Sequence, residues 1–462
     1  MKLKTLLLTI LSLMTVCVYS CEYDDTDINN DNKSQSGKQP NIIYILADDM
    51  GTYDLDCYGQ QKIKTPVIDK MATKGILFTQ HYAGSTVCAP SRGTLMTGLH
   101  TGRGYIKGNF AMENEGNLPL PNKTVTVAEL MKKAGYITGI MGKWGLGGPN
   151  DSGHPNNQGF DYSYCYLDQR LAHEYYPDYL WKNREKVPLN NQYSHDIFAQ
   201  EALNFIKRNK ENPFFLYLPF TIPHGKYQIP DNSDYAKESW TDKQKNYAAM
   251  ITLMDKDIGR IFSLLDSLNL DENTIVFFAS DNGPVKEMSK AFESNGQFRG
   301  YKSDLYEGGI RAPLVVRWPG KIDQGATSNH ISAFWDMLPT FCELAGVSVP
   351  ENIDGISLLP ELLNQQQKEH EFLVWEYFSY NYGWKPGSEN PRNQLQSQAV
   401  RMGKWKGVKK GLKNNPESPF ELYDLSKDIG EQNNLAEEHP EIVKQIEKIV
   451  EDERSDSEFF KK

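Results

Sequence analysis

The chain has 462 residues, a formal net charge of −10 and 24% charged residues. At this length roughly three quarters of the unfolded surface can be buried, so a large core forms without disulfide staples. The negative charge argues against nucleic acid as a partner, because it leaves no broad basic face, and an anionic substrate would need a local basic pocket.

The N-terminal residues have the pattern of an export signal. Two lysines precede an apolar run over residues 6–18, which is too short for a comfortable membrane span. The sequence Val-Tyr-Ser-Cys that ends at Cys21 resembles a bacterial lipobox, in which the cysteine is lipidated. We predict a lipoprotein signal peptide over residues 1–20 and a flexible tether over residues 21–39, with plain secretion as the alternative. The protein would be an exported lipoprotein in the periplasm or on the outer-membrane surface, held to the membrane only by this lipid.

Strand and helix patterns alternate over the next part of the chain. Short apolar runs predict buried strands, and apolar residues at helical spacing predict helices, one of which Thr126 and Glu129 would cap. The predicted strands are residues 41–47, 76–78, 136–141, 213–219 and 274–279, and the predicted helices are residues 65–75, 126–133 and 246–265. This alternation is typical of an α/β fold with a large mixed, mostly parallel sheet flanked by helices.

Polar residues suited to chemistry follow several of these strands. They are Asp48, Asp49, Lys143, His224, Asp281 and Asn282. Because the carboxyl ends of parallel strands meet at one edge of a sheet, we expect these side chains to converge there.

The sequence pattern changes after residue 363. Aromatic-rich strand patterns and a final amphipathic helix replace the earlier alternation. The strands are predicted at residues 371–380, 398–408 and 421–425, and the helix at residues 440–454. We therefore predict a catalytic domain over residues 40–363 and a smaller α+β subdomain over residues 364–462, built from a short antiparallel sheet and a helix.

Residues 88–92 read Cys-Ala-Pro-Ser-Arg and place a cysteine beside an arginine at a helix start. Pro90 suits the first helical position, where its missing N–H costs nothing. Cys88 would then lie where free backbone N–H groups and the helix dipole favour an anion. The alternative is that Cys88 is a buried apolar residue or a mildly activated thiol.

This segment resembles the sulfatase signature, which continues through Leu95, Thr97 and Gly98 and closes at Gly102-Arg103. Other segments match further motifs of the same family. They are residues 47–51, 142–144, 223–225, 280–283, 301–311 and 422–425. The chain thus resembles formylglycine-dependent type I sulfatases of the alkaline phosphatase superfamily over nearly all of its mature length, and bacterial carbohydrate sulfatases in particular.

The resemblance implies an alkaline-phosphatase-like fold and a modified nucleophile. Cys88 would be oxidised to formylglycine by a maturation enzyme, and the hydrated aldehyde would attack sulfur. Arg92, Lys143 and Lys302 would supply positive charge, and His224 or Lys302 would protonate the leaving oxygen or hold the sulfate. With Cys88 converted, Cys21 lipidated and Cys17 removed with the signal, the remaining cysteines are Cys57, Cys165 and Cys342. One disulfide bond could form among these three, but none is predicted.

The acidic residues indicate a metal site. Asp48, Asp49, Asp281 and Asn282 offer only oxygen donors, which suit a hard divalent cation such as Ca²⁺, with Mg²⁺ less favoured. By resemblance, the group derived from Cys88 would also be a ligand. The alternative for an Asp-Asp pair at a strand end is a solvated turn or a helix cap.

One position departs from the family pattern. Many sulfatases have histidine two residues after the lysine, and it is assigned to polarising the hydrate, but here that residue is Gly145. His154 or His173 could take its place from a neighbouring loop, although each is more often a structural histidine.

The substrate class is suggested by a loop rich in aromatic and polar residues at positions 169–181. We predict that Arg170, His173 and Glu174 contact the substrate, although these aromatics could equally fill a core. The resemblance implies a sulfated mono- or oligosaccharide carrying galactose or N-acetylgalactosamine sulfate, with the 4-O position favoured. The alternatives are a phosphonate or phosphodiester hydrolase of the same superfamily and an inactive glycan-binding lipoprotein.

Overall fold

The computed structural model describes residues 39–379, 381–384, 394–456 and 459–460. The predicted signal peptide, Cys21 with its predicted lipidation and all of the predicted tether except Gln39 lie outside these ranges. Residues from Gln39 to the C-terminus form one compact unit. Within the described ranges, no helix has the length and apolar character needed to cross a membrane.

The first part of this unit contains thirteen strands and nine helices among its described residues. The strands are β1 (Asn41–Ala47), β2 (Ile76–Phe78), β3 (His81–Tyr82), β4 (Phe110–Met112), β5 (Ile137–Lys143), β6 (Tyr162–Tyr166), β7 (Tyr179–Lys182), β8 (Glu185–Pro188), β9 (Phe214–Pro219), β10 (Thr274–Ser280), β11 (Leu314–Arg317), β12 (Ala326–Ser328) and β13 (Ser332–Ala333). The helices are α1 (Pro66–Thr73), α2 (Cys88–Thr97), α3 (Val127–Lys133), α4 (Ser194–Asn209), α5 (Asp242–Ser267), α6 (Lys286–Phe292), α7 (Glu307–Ile310), α8 (Met337–Ala345) and α9 (Leu359–Leu362).

Ten strands form one sheet in the order β12-β2-β11-β10-β1-β9-β5-β6-β7-β8. Strands β10, β1, β9, β5 and β6 run parallel, and antiparallel strands β11 and β7 border them on either side. Every residue of β1, β9 and β10 is buried, as expected of strands covered on both faces. This mixed, mostly parallel sheet confirms the predicted fold class.

Helices cover both faces of the sheet. Tyr44 of β1 belongs to an apolar cluster that includes residues of α2, α3 and α8, whereas the next residue, Ile45, belongs to a cluster that includes residues of α1, α4 and α5. Successive strand residues point to opposite faces, so one strand contributes to both cores. The predicted cap is present: Thr126 and Glu129 form a capping box at the start of α3.

The C-terminal part contains a separate small sheet. The described elements of this part are β14 (Leu373–Phe378), β15 (Asn381–Trp384), β16 (Leu395–Met402), β17 (Trp405–Lys410), β18 (Glu421–Asp424) and α10 (Pro440–Asp452). Strand β15 lies outside the small sheet and pairs with β4. Strands β14, β16, β17 and β18 pair antiparallel in that order, and α10 packs on them through Ile446 and Val450. This agrees with the predicted short antiparallel sheet and helix, while the domain boundary after residue 363 stays a prediction.

Candidate active site

The carboxyl ends of the parallel strands bring the predicted polar residues together. Asp48 and Asp281 follow the neighbouring strands β1 and β10, which are in register from Asn41 with Thr274 to Ala47 with Ser280. The backbone N–H of Asp281 donates to the carbonyl of Ala47 at 3.1 Å, and that of Asp49 donates to Asp281 Oδ1 at 3.2 Å. Asp49 adopts a left-handed φ of 66°, a conformation that Asp tolerates better than most residues.

Cys88 begins α2 and lies against this acidic edge. The helix starts two residues before the position that the sequence predicted, so Pro90 is its third residue, where a missing N–H is equally harmless. The Cys88 side chain is 1% exposed, and its thiol donates to Asp48 Oδ1 at 3.3 Å. The next N–H of the helix, that of Ala89, donates to Asn109 Oδ1 at 2.9 Å.

Three cationic side chains face the three carboxylates. Lys143 Nζ lies 2.6 Å from Asp48 Oδ2, and Lys302 Nζ lies 2.6 Å from Asp49 Oδ1 and 3.8 Å from Cys88 Sγ. Arg92 is fully buried, and its guanidinium makes three hydrogen bonds. It donates to Asp281 Oδ2 from Nε at 3.0 Å and from Nη2 at 2.7 Å, and to the Lys143 carbonyl from Nη1 at 2.5 Å.

The cations do not neutralise the carboxylates evenly. Burial alone would raise the pKa of Asp48, but the Lys143 ammonium, with help from the Arg92 guanidinium, holds it well below its ordinary value. Burial, together with the charge of Asp48, instead raises the pKa of Asp281 to about 6. Asp281 therefore gains most from an additional positive charge.

The donor set fits an oxygen-liganded divalent cation. Asn282 Nδ2 donates to Asp49 Oδ1 at 2.8 Å, while Asn282 Oδ1 is buried with no hydrogen-bond partner among the described residues. Oxygens of Asp48 and Asp49 lie within 4.8 Å of Cys88 Sγ and a His224 ring nitrogen. Since three carboxylates already face three cations, a divalent ion would make the pocket net positive, which suits an anionic substrate.

Adding Ca²⁺ to metal-stripped protein is expected to raise its melting temperature, because the ion binds the folded state alone. Ca²⁺ at 100 times its Kd raises the free energy of unfolding by about 2.7 kcal/mol. Differential scanning fluorimetry, with Mg²⁺ in parallel, measures the shift. Asp281→Asn should lose most of this shift in melting temperature. Asp234→Asn should keep the shift, because Asp234 lies in an exposed ion pair with Lys256. An equal shift in both variants would place the ion elsewhere.

His224 and His173 form a neutral pair beside the cluster. Their ring centroids lie 4.3 Å apart. Burial lowers the pKa of His224 to about 3 and that of His173 to about 4, so both are uncharged at neutral pH. His224 Nδ1 lies 3.3 Å from the Gly225 carbonyl, and its Nε2 lies 3.3 Å from Lys302 Nζ. The tautomer with the proton on Nδ1 satisfies both contacts and lets Nε2 accept from the ammonium.

A cavity of about 110 Å³ opens above Cys88. It is lined by Cys88, Asn109, Ala111, Asn117, Lys143, Gln169, Arg170, His173, His224 and Lys302. A wider cavity of about 480 Å³ shares His173, His224 and Lys302 with it. We call them the inner and the outer cavity. Arg92 lines neither cavity. Its hydrogen bonds to Asp281 and to the Lys143 carbonyl instead hold these two residues in place.

The predicted substrate residues divide between the cavities and their surroundings. Arg170 and His173 line the inner cavity, and Arg170 is oriented by Asp168, which accepts from its Nε at 3.0 Å. Glu174 lines neither cavity and pairs with Lys226 at the rim of the outer one. Tyr175 is fully buried and donates to the carbonyls of Thr221 and His224, so this aromatic fills the core.

His154 lies outside both cavities, in contrast to His173. Its Nε2 contacts the Asn183 carbonyl at 3.2 Å, and its Nδ1 accepts from the Asn156 N–H. These contacts give it the structural role that the sequence analysis weighed as an alternative.

Three amide residues of the inner cavity were missed. Asn109, Asn117 and Gln169 line it, yet none was predicted as a site residue. Gln169 is the first residue of the predicted substrate loop and adjoins Arg170, and this position is the one signal that could have indicated it.

Comparison with known proteins places this geometry in context. The family model described as Sulfatase matches residues 40–347, and the model described as N-sulphoglucosamine sulphohydrolase, C-terminal, matches residues 296–456. An N-acetylgalactosamine-6-O-sulfatase of Bacteroides thetaiotaomicron is 31% identical over 96% of each chain. The Homo sapiens N-acetylgalactosamine-6-sulfatase is 34% identical over 71% of this chain and 67% of its own. Among solved structures, Ps i-CgsB in complex with k-i-k-neocarrahexaose is 27% identical, with a TM-score of 0.79 over 92% of this chain and 95% of its own.

Proposed function

Because the chain belongs to the sulfatase family and is a carbohydrate sulfatase, we propose that it is an exported lipoprotein that hydrolyses galactose or N-acetylgalactosamine sulfates through a formylglycine nucleophile at Cys88. The observation that carries this proposal is the inner cavity, which has Cys88 at its floor and Lys143 and Lys302 in its walls. Its position next to the outer cavity suits a sulfate held inside and a sugar held outside.

The 6-O ester is the position that we propose, in place of the 4-O ester favoured by the sequence. The support comes from the printed names of two relatives, the bacterial N-acetylgalactosamine-6-O-sulfatase and the human N-acetylgalactosamine-6-sulfatase. Lipidation at Cys21, and a place in the periplasm or on the outer-membrane surface, belong to the same proposal.

The unmodified cysteine is a poor nucleophile in this setting. Burial, together with the charge of Asp48, raises the pKa of the Cys88 thiol far above neutrality, so the thiol stays protonated. Conversion to formylglycine replaces the Cβ–Sγ bond and one Cβ–H bond with a Cβ=O bond: the thiol and one water give the aldehyde, hydrogen sulfide, two protons and two electrons. A maturation enzyme with its own oxidant has to perform it. The hydrated aldehyde supplies an oxygen nucleophile and a way to expel the sulfate afterwards.

The cationic residues stabilise charge that develops on the ester. Lys143, paired with Asp48, and Lys302, paired with Asp49, line the inner cavity and would face the sulfate oxygens. Asp48, Asp49, Asp281 and Asn282 would hold the divalent cation, most simply Ca²⁺, which supplies further positive charge when bound.

Lys302 is the residue that we assign to protonate the leaving oxygen. His224 is neutral, so it has no imidazolium proton to give, whereas Lys302 carries its ammonium at the boundary of the two cavities. The 3.3 Å contact with His224 Nε2 orients that ammonium. An acid at this boundary lies where the sugar oxygen has to leave.

A substrate panel tests the proposed function on protein whose Cys88 peptide has been analysed by mass spectrometry. Fully converted protein is expected to release sulfate faster from N-acetylgalactosamine 6-sulfate and galactose 6-sulfate than from their 4-sulfates. Matched phosphonate and phosphodiester substrates should react more slowly. Faster release from the 4-sulfates would instead support the 4-O ester that the sequence favoured. Faster cleavage of the phosphonate or phosphodiester substrates would support a phosphonate or phosphodiester hydrolase. Glycan binding without turnover would support an inactive glycan-binding lipoprotein.

A further inference from the structure

The side-chain amide of Gln169 is a buried donor without a partner in the wall of the inner cavity. Gln169 is 7% exposed, and its Nε2 makes no hydrogen bond to any described residue. Leaving a buried amide donor unsatisfied costs about 1–3 kcal/mol, so such a group in a folded protein calls for a ligand or a bound water. The residues around it in the cavity include Cys88, Lys143 and Asn117.

Gly145 provides the space that this amide occupies. It lies two residues beyond Lys143 with a φ of 76°. A Cβ at this position would be 2.6 Å from Gln169 Nε2 and 2.9 Å from its Cγ, closer than real contacts allow. Any side chain at residue 145 and the observed position of Gln169 therefore exclude each other.

The main chain holds Gln169 at this position. Its backbone N–H donates to Asn117 Oδ1 at 3.0 Å, and Asn117 Nδ2 donates in turn to the Phe110 carbonyl at 3.3 Å. Both asparagine contacts are buried. The backbone of Gln169 is thus fixed beside the cavity, so only its side-chain torsions have to be ordered when the amide binds an anion.

We propose that Gln169 is a catalytic residue whose Nε2 donates a hydrogen bond to a sulfate oxygen bound above Cys88, and that Gly145 is glycine so that this amide can reach it. The proposal rests on the proposed function, because it assigns a donor to the same anion. Unlike the lysines, an amide adds a donor without adding charge or a titrating group.

Gln169→Met tests the donor, because methionine keeps the length and loses the N–H. We expect kcat/KM for the best ester of the panel to fall about tenfold to a hundredfold. Gln169→Glu should lose more, since a carboxylate would repel the sulfate. Gln200→Met is the matched control, because Gln200 is exposed on α4 and should leave kcat/KM unchanged.

Binding of inorganic sulfate gives a second readout that needs no turnover. Isothermal titration calorimetry on unconverted, Ca²⁺-loaded protein should show weaker binding in Gln169→Met and none in Gln169→Glu, at melting temperatures close to the parent's. Wild-type affinity and wild-type kcat/KM in Gln169→Met would overturn the proposal. A loss of kcat/KM with a lower melting temperature and unchanged sulfate affinity would also overturn it, as a packing effect. If the parent binds sulfate more tightly than Gln169→Met but hydrolyses no sulfate ester, Gln169 is still a hydrogen-bond donor to the anion, and the proposed function is wrong.

Discussion

Cys88→Ala is expected to lower sulfate release by about 10⁴-fold or more, because it removes the atom from which the nucleophile is made. The side chain is 1% exposed and its thiol has two polar contacts, to Asp48 at 3.3 Å and to Lys302 at 3.8 Å. Alanine fits in the same space, so the fold should persist. Sulfate release by ion chromatography and a thermal melt measure the two effects on the same preparations.

The matched control is Cys57→Ala. Cys57 is half-buried, is also a free thiol and lines neither the inner nor the outer cavity. Protein with this change should keep its activity if the aldehyde at Cys88 is present at the parent's level. Parent protein with an unconverted Cys88 should be as inactive as Cys88→Ala, since its thiol stays protonated. Substantial sulfate release by the unconverted parent or by Cys88→Ala would contradict the assignment of the nucleophile.

The sequence predicts the metal and cation residues because of where they stand in the fold. Buried strands leave strong apolar patterns, and in a parallel sheet their carboxyl ends meet, so residues such as Asp48, Lys143 and Asp281 are brought together by topology alone. Their shared edge follows from the strand pattern even before any motif is considered.

The rest of the inner cavity depends on loops, which leave no such pattern. Asn109, Asn117 and Gln169 are single amides without periodic neighbours, and their convergence is fixed by long-range contacts such as that between Gln169 and Asn117. Glu174 illustrates the opposite error: it lies in the predicted substrate loop, yet it pairs with Lys226 at the rim. Residue type and loop membership do not determine the direction of a side chain.

Lys406→Met is expected to destabilise the protein by about 3 kcal/mol, because it removes a buried cation shared by two buried carboxylates, although Glu307 keeps its ion pair with Arg311 at 2.6 Å. Lys406 on β17 is fully buried, with Nζ 2.8 Å from Glu307 Oε1 and 3.7 Å from Glu431 Oε1. Burial alone would raise the pKa of Glu307, but Lys406 and Arg311 hold it well below its ordinary value, so Glu307 stays charged. The midpoint of urea unfolding, at constant m value, measures the loss.

Two companion variants separate the buried charge from the loss of a lysine. Lys404→Met removes a half-exposed partner of Asp424 from the same hairpin and should cost less than about 1 kcal/mol. The double variant Lys406→Met/Glu307→Gln should lose less stability than the sum of the two single changes, because the ion pair between them can be broken only once. Equal effects of the two lysine changes would contradict the argument. Since Glu307 begins α7, five residues after Lys302, this ion pair ties the C-terminal sheet to the segment that carries a lysine of the active site.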